Sequence, residues 1–302
     1  MNLEALRWAY LRRVVATGLG ALGPHRSLRI ARALARGVCD LNPPGRRTAE
    51  ERLARAFGPD LTAVQRDAIV RTMYEHIAAF WVEALFLPRM LRPRTWRRAV
   101  RFAGAPGPRQ LAEMSGPCVL ATCYFGNIAA AAYALGQVCR PLYVLVDYLA
   151  HPAARAWQDR LYRAENVRPL PTDRAARRLP DLLRGGAKVL TVIEHRRRRG
   201  GVRATFLGEQ HAYQPTVGRL AEWFGAPVLP VLCRRLPQWG QFELWLGGLI
   251  RGPDVASTLT EVLQRLDAQV RRWPEQYLWS LSPPDSAVTE TESETPAAPR
   301  TR

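Results

Sequence analysis

Short apolar runs alternate with amphipathic stretches along the chain from residue 116 onward. We predict strands where a short run is apolar and rich in β-formers, and helices where apolar residues recur every three or four positions. The predicted strands cover residues 118–123, 142–147, 187–193, 202–207, 228–233 and 242–247. The predicted helices between and after them cover residues 128–137, 153–165, 173–184, 214–224 and 255–272. Continuous apolar strands separated by helices favour an α/β fold whose sheet is largely parallel and buried on both faces.

The first 100 residues show the helical period instead. Helices are predicted there over residues 27–39, 46–57 and 62–87. The longest carries apolar residues at helical spacing from Ile69 to Leu85, which is typical of a helix face packed on a core. Before these helices, four apolar residues share one face with arginines nearby: Leu3, Leu6, Tyr10 and Val14. This basic amphipathic pattern is typical both of a membrane-surface helix and of an ordinary surface helix.

Three sections are predicted: a helical, membrane-associating section over 1–100, an α/β domain over 101–282 and a disordered tail over 283–302. Pro, Ser, Thr, Glu and Ala dominate the tail, and such a composition buries too little apolar surface to fold. No run of about 18 uncharged apolar residues occurs, so no transmembrane helix is predicted. The apolar window 14–22 is short and lacks a cleavage signature, so we predict no secretory signal.

The chain is strongly basic, with a formal net charge of +18, and Lys188 is the only lysine among its 44 basic residues. So positive a surface favours anionic lipid, phosphate or nucleic acid as a partner. No zinc-finger, recognition-helix or RNP-like signature accompanies the charge, which argues against nucleic acid. The 5 cysteines have no metal-type spacing, so we expect reduced, mostly buried thiols and no bound metal.

The strand predicted over 118–123 ends in a sharp turn, Phe125-Gly126-Asn127, and an Ala-rich helical stretch follows at once. Gly126 permits a tight turn, and Asn127 suits the cap of the next helix. This arrangement places Tyr124 at the carboxyl end of a strand, where open α/β folds bind their ligands. The residues around Tyr124 are therefore the first candidates for a functional site.

The segment from Tyr124 to Ala129 resembles the first motif of the bacterial lipid A (Kdo-dependent) and phosphatidylinositol-mannoside acyltransferases, in the lysophospholipid acyltransferase superfamily. That motif reads His-Phe-Gly-Asn-Trp-Glu, so Tyr124 stands at the His position and Ala129 at the Glu position. Four further blocks resemble the same family in the same order, over residues 46–53, 182–194, 206–230 and 274–279. Within them Arg52 stands where an Asn is usual, and the last block, Pro-Glu-Gln-Tyr-Leu-Trp, resembles the closing Pro-Glu-Gln-Trp-Leu-Trp of the family.

The resemblance implies a glycerol-3-phosphate acyltransferase-like fold and transfer of a fatty acyl chain from a thioester to a lipid or glycolipid hydroxyl. In the family the His takes the proton of the acceptor hydroxyl, and the Glu orients that His. The implied donor is acyl-acyl carrier protein or acyl-coenzyme A, with no bound cofactor. The implied partners are acyl carrier protein and an anionic membrane surface, and the implied location is peripheral, at the cytoplasmic face of the bacterial inner membrane.

Three residues are candidates for the chemistry in place of the missing His. Tyr124 serves as a base only if positive charge lowers its pKa, which is near 10 when unperturbed. Cys123 is either an acyl-accepting thiolate or a buried strand cysteine. His195 either supplies an imidazole or contacts phosphate or lipid from a loop. The sequence leaves these alternatives open.

Substrate contacts are predicted at the first turn, at strand ends and in the loops between the motif blocks. The predicted contact residues are Gly126, Asn127, Asp147, His151, Glu194, His195, Arg196, Arg197, Phe206, Gly208 and Thr216. Asp147 stands where the family keeps an Arg, and His151 stands at about the position of a family Asn. The four arginines 196–199, followed by two glycines, are either a grip for a phosphorylated headgroup or acidic carrier protein, or a solvated basic loop.

The predicted function is acyl transfer at the inner membrane. The alternative is a catalytically inactive homologue that binds lipid or acyl carrier protein as a partner subunit, because the His and the Glu are lost together. A third alternative, a nucleic-acid binder, is supported by charge alone.

Overall fold

The computed structural model of the protein describes residues 17–18, 20–148, 152–162, 164–196 and 200–281. Several features predicted from the sequence lie outside the described residues. They are the basic amphipathic face over 3–14, the contact residues His151 and Arg197, and the tail over 283–302. The division into sections 1–100, 101–282 and 283–302 stays a prediction.

The amino-terminal part is helical, as predicted. It contains α1 (Pro24–Leu41), α2 (Pro43–Phe57), a 3-10 turn (Gly58–Asp60), α3 (Ala63–Met90) and the short α4 (Trp96–Ala99). Prolines begin α1 and α2, where the first N–H groups of a helix have no intrahelical partner to lose. A capping box begins α3, in which Thr62 and Gln65 each accept a hydrogen bond from the other's backbone N–H. No described helix is both long and apolar enough to cross a lipid bilayer.

Seven of the nine strands in the described residues form one sheet. The nine strands are β1 (Val100–Ala105), β2 (Cys118–Thr122), β3 (Leu142–Val146), β4 (Val167–Pro171), β5 (Lys188–Val192), β6 (Val202–Phe206), β7 (Glu209–Tyr213), β8 (Val228–Arg235) and β9 (Phe242–Gly247). The sheet order is β1-β9-β8-β2-β5-β3-β4. Neighbouring strands are parallel except β8 and β9, which are antiparallel. The predicted α/β class with a largely parallel sheet is confirmed.

Helices cover both faces of this sheet. They are α5 (Pro108–Glu113), α6 (Ile128–Val138), α7 (Pro152–Tyr162), α8 (Thr172–Arg184), α9 (Thr216–Phe224) and α10 (Val255–Val270), followed by a 3-10 turn (Pro274–Gln276). Successive residues of a strand point to opposite faces. Val119 and Ala121 of β2 accordingly pack in one apolar cluster, and Leu120 packs in the other with the alanines of α6. Because both faces are covered, every residue of β2 is buried.

Three strands, β1, β4 and β7, are not indicated by the sequence pattern. Pro169 and Pro171 make β4 look like a loop, but β4 is one of the two edge strands of the sheet, where proline is tolerated. The predicted strand over 202–207 lies outside the main sheet, because β6 pairs antiparallel with β7 in a separate hairpin. Leu207 and Gly208 form the turn of that hairpin, and both have positive φ.

The topology places the ends of three strands side by side. β5 lies between β2 and β3, and all three run parallel. Their carboxyl ends therefore meet at one edge of the sheet. The segments that follow these strands, which begin at residues 123, 147 and 193, form the walls of the site described next.

Candidate active site

A cavity of about 600 Å³ opens at the carboxyl ends of β2, β5 and β3. Side chains from these strand ends and from helices α7, α8 and α9 form its walls. The residues with polar side chains that line it are Tyr124, Asp147, Gln158, Tyr162, Thr172, Asp173, Thr191, His195, Gln214, Thr216, Arg219 and Trp223. Its apolar wall includes Ile128, Leu145, Leu179, Ile193, Val217 and Leu220. The cavity is thus mixed, with polar and apolar side chains contributed both by the strand ends and by the helices.

Tyr124 lines this pocket, and its backbone is fixed on both sides. Its N–H donates to Glu194 Oε1 at 2.5 Å, and its carbonyl accepts from the Leu278 N–H at 2.9 Å. Burial raises the pKa of the Tyr124 hydroxyl, and the negative charges of Glu194 and Asp147 raise it further. The pKa shift is therefore opposite in sign to the one that a tyrosine base needs.

The turn after Tyr124 requires glycine at position 126. Gly126 has φ +57°, and a Cβ there would overlap the carbonyl oxygen of Cys233. Its N–H donates to the Gln276 carbonyl at 2.8 Å, and the Asn127 N–H donates to the Cys233 carbonyl at 2.9 Å. Glycine tolerates this backbone conformation because it lacks a Cβ. The first and last family blocks are therefore in direct contact.

The side chain of Asn127 is buried beneath the turn and does not line the pocket. Its Oδ1 accepts from the Ala130 N–H at 2.8 Å, so it caps α6 as predicted. Its Nδ2 donates to Glu83 Oε2 at 2.6 Å, and Glu83 forms a buried ion pair with Arg235 at 2.7 Å. Asn127 therefore anchors the turn on α3 and β8.

Cys123 and Ala129 are also fully buried and lie away from the pocket lining. Burial raises the pKa of the Cys123 thiol well above 9.0, and the charge of Glu194 raises it further. These surroundings favour a buried strand thiol over a reactive thiolate. Ala129, at the family Glu position, packs in the apolar cluster that contains the alanines of α6.

Glu194 is buried and supports the turn from below. Its carboxylate accepts hydrogen bonds from the Tyr124 N–H and from the Tyr277 hydroxyl. Arg52 Nη2 donates to the same Tyr277 hydroxyl at 3.2 Å. Burial raises the pKa of Glu194, although the Tyr277 hydrogen bond and the Arg52 charge oppose this shift.

His195 and Asp147 both line the pocket, next to Tyr124. Burial lowers the pKa of the His195 imidazole, and the charge of Asp147 opposes that shift. Asp147 is exposed at the rim, where Thr172 Oγ1 donates to its Oδ1 at 3.4 Å. Thr216, at the start of α9, lines the same cavity.

Three other predicted contact residues do not line the pocket. Phe206 is buried against Tyr277, with ring centroids 6.1 Å apart. Gly208, at φ +75°, lets the hairpin turn approach the Arg55 carbonyl. Arg196 donates to Glu209 at 3.1 Å in an ion-pair cluster behind the site.

Sequence reasoning missed five residues that shape the site. Tyr162 and Asp173 line the pocket from positions outside the motif blocks, and Arg219 lines it from α9, within the 206–230 block. Arg52 and Tyr277 hold Glu194, and each is a departure from the family pattern. Both positions differ from the family pattern, and this joint difference was the signal in the sequence that the two residues interact. In the structure their side chains form a hydrogen bond of 3.2 Å.

The fold and the site together define an α/β protein with a candidate ligand site at the carboxyl ends of its parallel strands. A tight glycine turn follows a central strand, and a ligand-sized pocket opens at the carboxyl edge of the parallel strands. The sequence model of the family described as bacterial lipid A biosynthesis acyltransferase matches residues 2–282. The chain therefore belongs to that family, which confirms the resemblance seen in the sequence. A comparison with curated proteins gives no match.

Proposed function

We propose that this protein transfers a fatty acyl chain from an acyl thioester to a hydroxyl of a lipid or glycolipid. The observation that carries the proposal is the pocket itself. It lies at the sheet edge where Tyr124 occupies the family His position, and it contains polar groups able to act on a bound ester. Family membership supports the acyltransferase class.

The size and lining of the pocket suit an acyl chain. Cavities of about 300–1,000 Å³ with mainly apolar walls and a few polar groups are typical small-molecule sites. The volume of about 600 Å³ falls in that range. Leu145, Leu179 and Leu220 offer apolar surface for the hydrocarbon, while Tyr124 and His195 lie at the sheet edge for the reacting groups.

We place the protein at the cytoplasmic face of the inner membrane, bound to its surface. One face of α1 supports this placement, because it exposes four apolar residues at helical spacing. Their exposed fractions are 42% for Ile30, 66% for Leu34, 52% for Val38 and 85% for Leu41. Arg26 and Arg29 are exposed on the same helix. Apolar residues flanked by arginines fit an anionic lipid surface.

The thioester donor is acyl-acyl carrier protein or acyl-coenzyme A. Both donors are anionic, and the net charge of +18 favours either. Arg219 lines the pocket and offers a cation to a phosphate of the donor.

A catalytically inactive lipid- or carrier-binding subunit is the second candidate function. It is favoured by one observation: the family His and Glu positions are Tyr124 and Ala129. The raised pKa of Tyr124 prevents it from taking over as base. Under this hypothesis the pocket binds an acyl thioester without turning it over.

One assay separates the two functions. Purified protein is incubated with radiolabelled palmitoyl-coenzyme A or palmitoyl-acyl carrier protein and vesicles that contain a bacterial glycolipid extract. We expect label in the lipid fraction and release of one thiol for each ester formed. Saturable binding of the thioester with neither product would reject acyl transfer and support the binding subunit.

A further inference from the structure

The pocket contains one imidazole among the described residues. The structure describes His25, His76, His195 and His211, and only His195 lines the cavity. The ring nitrogens of His195 form no hydrogen bond to any described residue. Both nitrogens are therefore available to a bound substrate.

Tyr124 and Asp147 flank His195 on the two neighbouring strands. His195 follows β5, Tyr124 follows β2 and Asp147 follows β3, and β5 is the middle strand of the three. Neighbouring strands lie about 4.8 Å apart, so the three segments fall within about 10 Å of one another. All three residues line the same cavity, so different groups of one bound substrate can meet them.

We propose that His195 is the proton acceptor for acyl transfer in this protein, with Asp147 supporting its charged form and the Tyr124 hydroxyl donating a hydrogen bond to the thioester carbonyl. This inference rests on the proposed function. The family pattern puts its imidazole after β2, whereas here the imidazole follows β5. The protein thus keeps an imidazole in the pocket but supplies it from the adjacent strand.

The proton balance of the reaction is simple. The His195 imidazole takes the proton of the acceptor hydroxyl as the acceptor oxygen bonds to the thioester carbonyl carbon. The carbon–sulfur bond then breaks, and His195 returns the proton to the leaving thiolate. One ester and one free thiol are formed, and no oxidant, reductant or metal takes part. A carbonyl oxygen gains negative charge in this step, and the Tyr124 hydroxyl stabilises it.

The electrostatic surroundings support these roles. Burial lowers the pKa of His195, so its imidazole is neutral near pH 7 and able to accept a proton. Burial and the Glu194 charge raise the pKa of Tyr124, so its hydroxyl stays protonated and able to donate. The other titratable or charged groups that line the pocket or adjoin His195 are Asp147 after β3, Tyr162 on α7, Asp173 on α8, Arg219 on α9, Glu194 and Arg196.

The test compares His195→Gln, Asp147→Asn and Tyr124→Phe with the unaltered chain and with His25→Gln, a histidine variant outside the pocket. The measured quantities are ester formation from palmitoyl-coenzyme A across pH 5–9, binding of palmitoyl-coenzyme A by calorimetry, and the thermal unfolding midpoint. We expect His195→Gln to lower the rate about 100-fold with unchanged binding and folding. Tyr124→Phe should lower it about 10- to 100-fold, and His25→Gln should leave it unchanged.

The pH profile separates a catalytic role from a structural one. The rate of the unaltered chain should fall on the acid side as His195 becomes protonated. Because Asp147 raises the pKa of His195, Asp147→Asn should move that acid limb to lower pH. A full rate in His195→Gln, an unmoved limb in Asp147→Asn, or an equal loss of rate in His25→Gln would overturn the inference. Absence of ester formation by the unaltered chain would instead overturn the proposed function, and this inference with it.

Discussion

Glu194 connects segments that lie far apart in the sequence. Its carboxylate accepts from the Tyr124 N–H after β2 and from the Tyr277 hydroxyl near the end of the described chain. Arg52 on α2 donates to Tyr277 and also to the carbonyl of Leu281 at 2.6 Å. A buried acid is costly unless hydrogen bonds satisfy it. The same bonds that satisfy Glu194 therefore fix the backbone at Tyr124.

Tyr277→Phe tests this connection. The change removes the hydroxyl that donates to Glu194 and accepts from Arg52, leaving two buried charged groups each short of a partner. We expect the free energy of unfolding to fall by about 2 kcal/mol, measured by urea denaturation at pH 7. Tyr133→Phe is the control, because Tyr133 is buried in an apolar cluster. Similar losses in both variants would contradict the role of the network.

Glu209 is the centre of a second charged cluster, behind the pocket. Its side chain is 9% exposed and lies 2.5 Å from Arg55, 3.1 Å from Arg196 and 3.5 Å from Arg52. Burial alone would raise the pKa of Glu209, but the hydrogen bond from Arg55 and the charge of Arg52 outweigh it. The net pKa lies below the ordinary 4.5. The stabilisation is therefore fully present above pH 4.5 and is lost as pH falls through the lowered folded-state pKa.

We expect Glu209→Gln to lower the free energy of unfolding by about 3 kcal/mol at pH 7, because it removes the anion that pairs with the buried Arg52 and the partly buried Arg196. The difference from the unaltered chain should shrink as pH falls below 4.5, where the glutamate is itself protonated. Glu113→Gln, which breaks an exposed pair with Arg109, should cost about 0.5 kcal/mol or less. A difference that stays constant from pH 7 to pH 3 would contradict the assignment.

The packing of side chains at the strand ends limits which site residues the sequence could specify. Tyr124 and His195 line the pocket, whereas their neighbours Cys123 and Glu194 are buried on the core side. Consecutive residues such as Thr191, Val192 and Ile193 also line the pocket, so strand alternation alone does not decide which side chains reach it. The sequence therefore predicts that these residues follow parallel strands. Only the packed structure shows which of their side chains face the pocket.

The turn between β2 and α6 is the element on which the site depends, and Gly126→Ala tests it. A Cβ at Gly126 would overlap the Cys233 carbonyl, and its φ of +57° disfavours any other residue. Gly225 has a φ of +58° with nothing within 4 Å of its Cβ position, so it isolates the conformational cost. We expect losses of about 3 kcal/mol or more for Gly126→Ala and about 1–2 kcal/mol for Gly225→Ala, measured by thermal unfolding. Equal losses would show that the close approach does not matter.

The exposed apolar face of α1 leads to a prediction about membrane binding. Leu34→Glu and Val38→Glu place carboxylates on the face that we assign to the membrane. A buried aliphatic side chain contributes about 2 kcal/mol, so each change should weaken binding to phosphatidylglycerol-containing vesicles at least about tenfold. Val64→Glu is the control, because Val64 is 79% exposed and lies on α3. Vesicle sedimentation gives the measurement, and equal loss in all three variants would contradict a specific α1 contact.

Strands that are buried on both faces of the sheet were among the elements predicted most accurately from the sequence. β2 is buried at all five positions and β5 at four of five, and their observed bounds differ from the predicted ones by one residue at most at either end. β4 was not predicted from the sequence, because its prolines are tolerated only in an edge strand. Whether a strand lies at an edge depends on the order of strands in the whole sheet, which the local sequence does not specify. The hairpin of β6 and β7 depends on packing against α2 and α10, which local pattern does not encode.

Taken as a whole, the chain joins three features that suit acyl transfer to a membrane lipid. The sheet edge holds a pocket with apolar walls, α1 exposes an apolar and basic face, and the net charge is +18. Family membership sets the reaction class. Acyl transfer at the pocket, with a catalytic apparatus different from the family His and Glu, is the claim that unites them.

Ester formation from radiolabelled palmitoyl-coenzyme A in three chains tests that claim most directly. The chains are the unaltered protein, Ala176→Trp, which fills the pocket from α8, and Ala63→Trp, which adds the same ring to an exposed site on α3. We expect ester from the unaltered chain and from Ala63→Trp, and a loss of about 100-fold in Ala176→Trp with unchanged folding, because small displacements of bound substrate cost that much. Full activity in Ala176→Trp, or thioester binding without ester in all three chains, would contradict the account.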